Sequence, residues 1–305
     1  MAKRIVVVGS SNTDMIIQMP RIPRPGETIL GGRFSMAAGG KGANQAVAAA
    51  RAGGAVTFIA RVGDDMFGRK AVEGFVADGI DVDHVIRDSQ APSGVALIFV
   101  ADDGENSIGV ASGANARLSP ADVETARDAI ASADVLVMQL ETPLETVRAA
   151  AKIAADRRVR VILNPAPAQP LDDDLLGRVS ILTPNETEAE LLTGIRVDDE
   201  ATAGKAARAL LAKGVQTVLV TLGARGAFLA TPEGGLPVPG FKVEPVDTTA
   251  AGDVFNGALA VALSEGRSLK ESVRFANAAA ALSVTKLGAQ PSAPSRKEID
   301  AFLAK

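Results

Sequence analysis

Hydrophobic positions along the chain gather into short, nearly unbroken runs: RIVVVG, VTFIARVG, DVLVMQL, VRVILNP, VSILTP and TVLVTLG. Runs this short, rich in β-branched residues and without polar alternation, are strands buried on both faces, as in a parallel sheet. Between them lie helical patterns with starts at Ser119-Pro120, at Thr142-Pro143 followed by Glu145, and at Ser295 with Glu298. Stops fall at Gly79, Gly194 and Gly214. Ser or Thr followed three residues on by Glu is a capping box, and glycine closes helices. The alternation predicts βαβ units and an α/β fold.

Two stretches break this rhythm. Residues 15–38 hold strand-like pieces, prolines and glycines without a helix, and residues 92–112 read as a hairpin turning at Asp103-Gly104. Together they predict a small antiparallel sheet, and a flap beside the carboxyl edge of a parallel sheet is placed to act as a lid. Its alternating apolar residues, as at Val95, Leu97 and Phe99, would leave one face open to water and so predict pairing with a second copy.

Composition narrows the chemistry. The 305 residues are 47% hydrophobic and 22% charged, an ordinary globular balance, and no apolar run approaches the ~18 residues of a membrane span. The first apolar run, Ile5 to Val8, is too short for a signal segment, which implies a cytoplasmic protein. With no cysteine and one histidine, His84, in a surface-like loop, disulfides, thiolate catalysis and Cys- or His-rich metal sites are excluded. A formal charge of -4, no basic cluster, and ten Phe without Trp or Tyr argue against a nucleic-acid surface. A small polar substrate fits better.

The segment GGKGANQAVAAARAGG, Gly39 to Gly54, is not a phosphate loop, because Ser35 and Gly42 stand where that motif needs glycine and Ser or Thr. VVVGSSNTD likewise lacks the dinucleotide fingerprint. Asn12, Asp14, Lys41 and Asn44 remain as polar groups at element ends. Singly each reads as a turn or cap residue; grouped, their paired donors and acceptors suit vicinal hydroxyls. In TPNETEAELLTG, Asn185 and Glu188 have capping-box spacing, with phosphates and a magnesium ion as the other reading. TLGARG, Thr221 to Gly226, is a tight turn or a backbone cradle for phosphate. In DTTAAGDVFNGAL, Asp247 to Leu259, small residues precede an acid at a helix start.

These segments, with SGVALIFV, GAN, MQLETPLETV and LNPAPA in the same order, resemble the ribokinase/PfkB family of sugar kinases over essentially the whole chain. The resemblance implies a single ribokinase-like α/β domain over residues 1–305. Its form would be a three-layer sandwich with a central, mostly parallel sheet and a small β-sheet lid. It implies ATP as phosphoryl donor and the 5-hydroxyl of D-ribose as acceptor. Another free sugar, such as 2-deoxyribose or fructose, is the alternative within the family, and a non-catalytic sugar- or nucleotide-binding protein the alternative outside it.

Carried over by position, the resemblance puts Asn12, Asp14, Gly40, Lys41, Gly42, Ala43, Asn44 and Glu141 around the sugar. Asn185 and Glu188 fall near the phosphates and Mg2+, and Thr221, Leu222, Gly223, Ala224, Arg225, Gly226 and Asn277 near the nucleotide. Ala250, Ala251 and Gly252 form an anion hole, and Asp253 is the general base, ionised by the helix dipole. A potassium ion is implied on carbonyls of Asp247, Thr249, Ser283, Lys286 and Gly288 with the Ser292 hydroxyl, and a homodimer through the lid sheet. Two residues depart from the family: Ala250 stands where many members have glycine, and Val254 where many have a small hydroxyl residue.

Overall fold

The computed structural model describes residues 4–304; Met1 to Lys3, ahead of the run read as the first strand, and Lys305 lie outside them. Thirteen strands are present among the described residues. They are β1 Arg4–Val8, β2 Asn12–Met19, β3 Arg33–Gly39, β4 Ala55–Gly63, β5 Val85–Asp88, β6 Gly94–Ala101, β7 Asn106–Ala111, β8 Val135–Met138, β9 Arg160–Leu163, β10 Ile181–Leu182, β11 Thr217–Thr221, β12 Gly226–Thr231 and β13 Gly234–Pro239. The helices are α1 Lys41–Arg51, α2 Met66–Ala77, α3 Pro120–Thr125, α4 Arg127–Ala131, α5 Leu144–Asp156, α6 Asp173–Leu176, α7 Glu186–Thr193, α8 Glu200–Leu211, α9 Ala251–Ser264, α10 Leu269–Ser283 and α11 Arg296–Leu303.

Nine strands form one sheet in the order β13-β12-β11-β10-β9-β8-β1-β4-β5, parallel except for the β11-β12-β13 meander. Its strands carry the unbroken apolar runs because both faces are covered. Ile5 and Val7 of β1 enter a core with Phe58 and helices α1, α9 and α10. Val6 and Val8 enter the opposite core with helices α3, α5 and α8. Period-two alternation along one buried strand thus feeds two hydrophobic layers. The result is the expected three-layer α/β sandwich.

The second sheet has the order β3-β2-β6-β7. The hairpin β6-β7 turns at Asp103-Gly104, with Gly104 at φ 89, as expected. The sheet is not purely antiparallel, however, because β2 pairs with β6 in parallel, Asn12 opposite Gly94. It also begins earlier than residue 15: β2 starts at Asn12, so Asn12 and Asp14 are strand residues of this sheet rather than turn residues after β1.

The capping boxes at Ser119, Asn185 and Ser295 are formed. The one expected at Thr142 is not. Helix α5 starts at Leu144 behind Pro143, which offers no side-chain cap, and the Thr142 hydroxyl is buried without a partner.

Candidate active site

The carboxyl ends of the parallel strands and the root of the small sheet converge on Asp253. Helix α9 opens at Ala251, and its apolar face buries everything from Asp253 to Leu263. Asp253 itself is 6% exposed. Its Oδ2 accepts from Asn44 Nδ2 at 2.9 Å and its Oδ1 from Gln45 Nε2 at 2.8 Å, both from the first turns of α1. Burial pushes the Asp253 carboxyl above the ordinary carboxylate value, against the pull of Lys41 and the two amide donors.

Residue 250 precedes the helix at φ 59, a left-handed conformation that costs an alanine about 1–2 kcal/mol and a glycine nothing. The Ala251 N–H, expected in the anion hole, donates to the Thr248 carbonyl at 3.3 Å. Gly252 is open: a Cβ placed there meets nothing within 4 Å. Its carbonyl accepts from Asn256 Nδ2 at 2.8 Å, and Asn256 Oδ1 accepts from the Thr183 hydroxyl at 2.7 Å. A cavity of about 180 Å³ lies against this helix start, lined by Lys41, Asn185, Glu188, Thr221, Gly252 and Asp253 among others. Asn185 and Glu188 cap α7 reciprocally at 2.8 and 2.9 Å, and both also line this cavity. Burial raises the Glu188 carboxyl, opposed by the Asn185 N–H and by Lys41.

On the other side of Asp253 stand the residues expected around a sugar. Asp14 is pushed up from 3.8 to about 6, by burial first and then by the negative charges of Glu141 and Asp253. Glu141 is anchored through Oε2, which accepts from the Ser10 hydroxyl and from the Lys41 N–H at 3.0 Å. Asn12 Oδ1 accepts from Asn115 Nδ2 at 2.7 Å. Asn12, Asn115 and Glu141 line a cavity of about 410 Å³ together with Val110 of β7. Gly40, at φ 89, brings its Cα against the backbone of Ser11 and Asn12, where a Cβ would lie 2.7 Å from the Asn12 nitrogen. Likewise a Cβ at Gly39 would overlap the Asp14 carboxylate, and one at Gly94 would overlap Asn12 Oδ1 and Asn115 Nδ2. Gly42 packs on Ser10, and the Ala43 side chain points into the core rather than the site.

A third cavity, of about 450 Å³ and mostly apolar, is lined by Gly223, Ala224, Gly226, Phe241, Val284 and Asn277 among others. Asn277 donates to the carbonyls of Val238 and Pro239, both at 3.1 Å. Two expected nucleotide residues turn away: Leu222 is buried in the core, and the Arg225 guanidinium bonds the Asp198 carbonyl and Glu186.

Asp247 ties the two expected cation loops together. Its Oδ1 accepts from the Thr249 N–H at 2.9 Å and its Oδ2 from the Gly288 N–H at 2.8 Å. Burial works against its ionisation, but these donors hold it below the usual carboxylate range. The hydroxyls of Ser283 and Ser292 are buried and donate to Ala280 and Ala289 carbonyls. The Lys286 side chain leaves the site to pair with Glu298 at 2.8 Å.

Ser10, Gln45, Asn115, Thr183 and Asn256 were not among the residues singled out from sequence. An amide such as Asn256 in the middle of an apolar helix was the one visible signal, since a buried polar side chain needs a partner.

Comparison with known proteins agrees with this architecture. The chain belongs to the PfkB family: the model of the pfkB family carbohydrate kinases matches residues 2–296. It is 51% identical to a ribokinase of Haemophilus influenzae, with 99% of each chain covered. It is 38% identical to a deoxyribokinase of Salmonella typhimurium, with 98% of each covered. Among solved structures it is similar to an Arabidopsis thaliana ribokinase complexed with ribose and ATP, at a TM-score of 0.94 and 36% identity over the whole of both chains.

Proposed function

We propose that this chain transfers the γ-phosphoryl group of ATP to the 5-hydroxyl of D-ribose. The observation that carries the reading is the placement of Asp253, a buried carboxylate at the start of α9 between a phosphate-sized cavity and the group Asn12, Asp14 and Glu141. On this reading Asp14, Asn12 and Glu141 read the sugar hydroxyls, and Asp253 takes the proton of the attacking 5-hydroxyl. Developing phosphoryl charge falls on the N-terminus of α9 at Gly252, where the peptide dipoles and uncapped N–H groups favour an anion. Lys41 adds a positive charge beside that cavity. The adenine takes the apolar cavity beside Phe241 and Val284.

Among the described residues no group of three or more His, Cys, Asp or Glu side chains is arranged to hold a metal. A magnesium ion beside Glu188 would therefore take most of its ligands from phosphates and water, as that ion commonly does, and would neutralise phosphate charge. The loops joined by Asp247 offer carbonyl and hydroxyl oxygens next to an ionised carboxylate, a donor set suited to potassium. Carbonyls of Asp247, Thr249, Ser283, Lys286 and Gly288 with the Ser292 hydroxyl would hold it, and its effect would be to fix the turn ahead of α9.

Register places Met15, Phe34, Met36, Leu97 and Phe99 on the face of the small sheet opposite Asp14. Phe34 is 61% and Leu97 53% exposed, so this face supports a homodimer, which sedimentation at micromolar concentration tests. Among the described residues no helix is long and apolar enough to cross a membrane, and ATP as donor fits a cytoplasmic enzyme.

ADP release measured with a panel of free sugars tests the activity. Ribose should lead, and 2-deoxyribose should fall behind because losing a hydroxyl strands buried partners. Equal kcat/KM for the two would return the assignment to a broader pentose kinase, and no turnover with any sugar would leave a binding protein.

A further inference from the structure

Gln45 is completely buried, and it reaches the site through Asp253 and through Asn164, which lines the same cavity. Both hydrogens of its Nε2 are committed, one to Asp253 Oδ1 at 2.8 Å and one to Asn164 Oδ1 at 3.1 Å. Its Oε1 accepts from Gln139 Nε2 at 2.6 Å. Asn164 in turn donates to the Thr183 carbonyl at 3.3 Å. A carboxylate only accepts, so the NH2 end of Gln45 must face Asp253, and its oxygen must then face a donor. Gln139, just beyond β8, is that donor, and it leaves its own Oε1 without a partner. A buried amide oxygen left unsatisfied is a cost the fold carries to keep Gln45 in one orientation.

We propose that Gln45, oriented by Gln139, is a positioning residue for Asp253: it pins Oδ1 so that the carboxylate presents one fixed edge to the cavity where phosphoryl transfer occurs. The inference rests on the reading of Asp253 as general base. The clamp also sets when the base is ionised. Charged groups acting on Asp253 are Lys41 from α1, Glu141 from beyond β8, Asp14 from β2 and Glu188 from α7. Three of these four are carboxylates that oppose ionisation, so donation by Asn44 and Gln45 counters them and the burial.

The test uses Gln45→Met and Gln139→Met in the full-length protein, with two readouts. One is the titration of the Asp253 carboxyl by 13C NMR without ligands, its signal identified by loss in Asp253→Asn. The other is the pH profile of kcat with ribose and ATP. Gln45→Met should raise the titration midpoint by roughly one pH unit, the usual worth of a donated hydrogen bond to a buried carboxylate. Gln139→Met, which does not touch Asp253, should raise it less but in the same direction. The acid limb of kcat should move with the midpoint, while ribose affinity without ATP changes by less than about threefold. An unmoved midpoint in Gln45→Met, or kcat lost equally at every pH, overturns the proposal; an unmoved midpoint in Gln139→Met overturns the orienting role. If the unaltered protein turned over no sugar, the function reading would fail on its own, and the ligand-free titration would still report on the clamp.

Discussion

Asn115 Nδ2 donates to Asn12 Oδ1 at 2.7 Å, joining residues 103 apart in the chain. The same Asn115 grips Ser11, accepting from its N–H at 2.9 Å and donating to its carbonyl at 3.1 Å. With Oδ1 occupied, Asn12 is left to offer its Nδ2 as a donor to a sugar oxygen. Asn115→Ala should therefore raise KM for ribose about tenfold with little change in kcat, and lower stability by about 1–3 kcal/mol for the buried groups it strands. Steady-state kinetics and urea unfolding measure both, and an unchanged KM would separate Asn12 from sugar binding.

Asp253→Asn keeps the shape of the side chain and loses the base. Turnover should fall by about 10²–10⁴, the usual contribution of general-base catalysis, with ribose binding by calorimetry nearly intact. Near-normal turnover would remove Asp253 from the chemistry.

Asp14 gives a pH dependence with a definite sign. Its folded value of about 6 lies above the ordinary 3.8, so between these values the folded protein holds a proton that the unfolded chain has released. Stability from this group is full below 3.8 and is lost as pH rises through about 6. Asp14→Asn escapes that loss, so without ligand its melting temperature should gain on the unaltered protein between pH 4.5 and pH 8, measured by calorimetry. Ribose affinity should run the other way, because the ionised carboxylate is the better hydroxyl acceptor. KM should therefore rise as pH falls below about 6.

The loops held by Asp247 lead to an ion-exchange experiment. Replacing K⁺ by a bulky organic cation, at constant ionic strength and saturating magnesium, should lower kcat more than it changes KM. K⁺ should restore activity better than Na⁺. On the proposed reading the turn before α9 acts through preorganisation, which is felt in the transition state. Indifference to the monovalent cation would leave Asp247 as a purely structural tie.

What the sequence revealed of this fold and what it hid follow from the range of each interaction. Strands such as RIVVVG and TVLVTLG were legible because burial on both faces leaves a local, unbroken apolar run. The Asn185-Glu188 and Ser295-Glu298 caps were legible because a capping box is complete within four residues. Thr142 had the same spacing and failed, since Pro143 took the place before the helix. The parallel pairing of β2 with β6 and the contacts of Asn115 and Gln45 join segments that are neighbours only in the folded chain. For the candidate site, the sequence order brings Asp253 to the start of α9, but that the Leu222 and Arg225 side chains point elsewhere and that the Ala251 amide is bonded to Thr248 depends on contacts made only in the folded chain.

Gly39 and Gly94 stand where a methyl group would displace Asp14 or Asn12, and neither backbone takes the left-handed form that demands glycine. A single substitution there would displace the side chains proposed to read the hydroxyls while leaving α9 and the apolar cavity beside Phe241, proposed for the nucleotide, untouched. The choice of alcohol and the machinery of transfer are in this sense inherited separately. Descendants of such a chain can drift toward a new acceptor one residue at a time, without rebuilding the means of delivering phosphate to it.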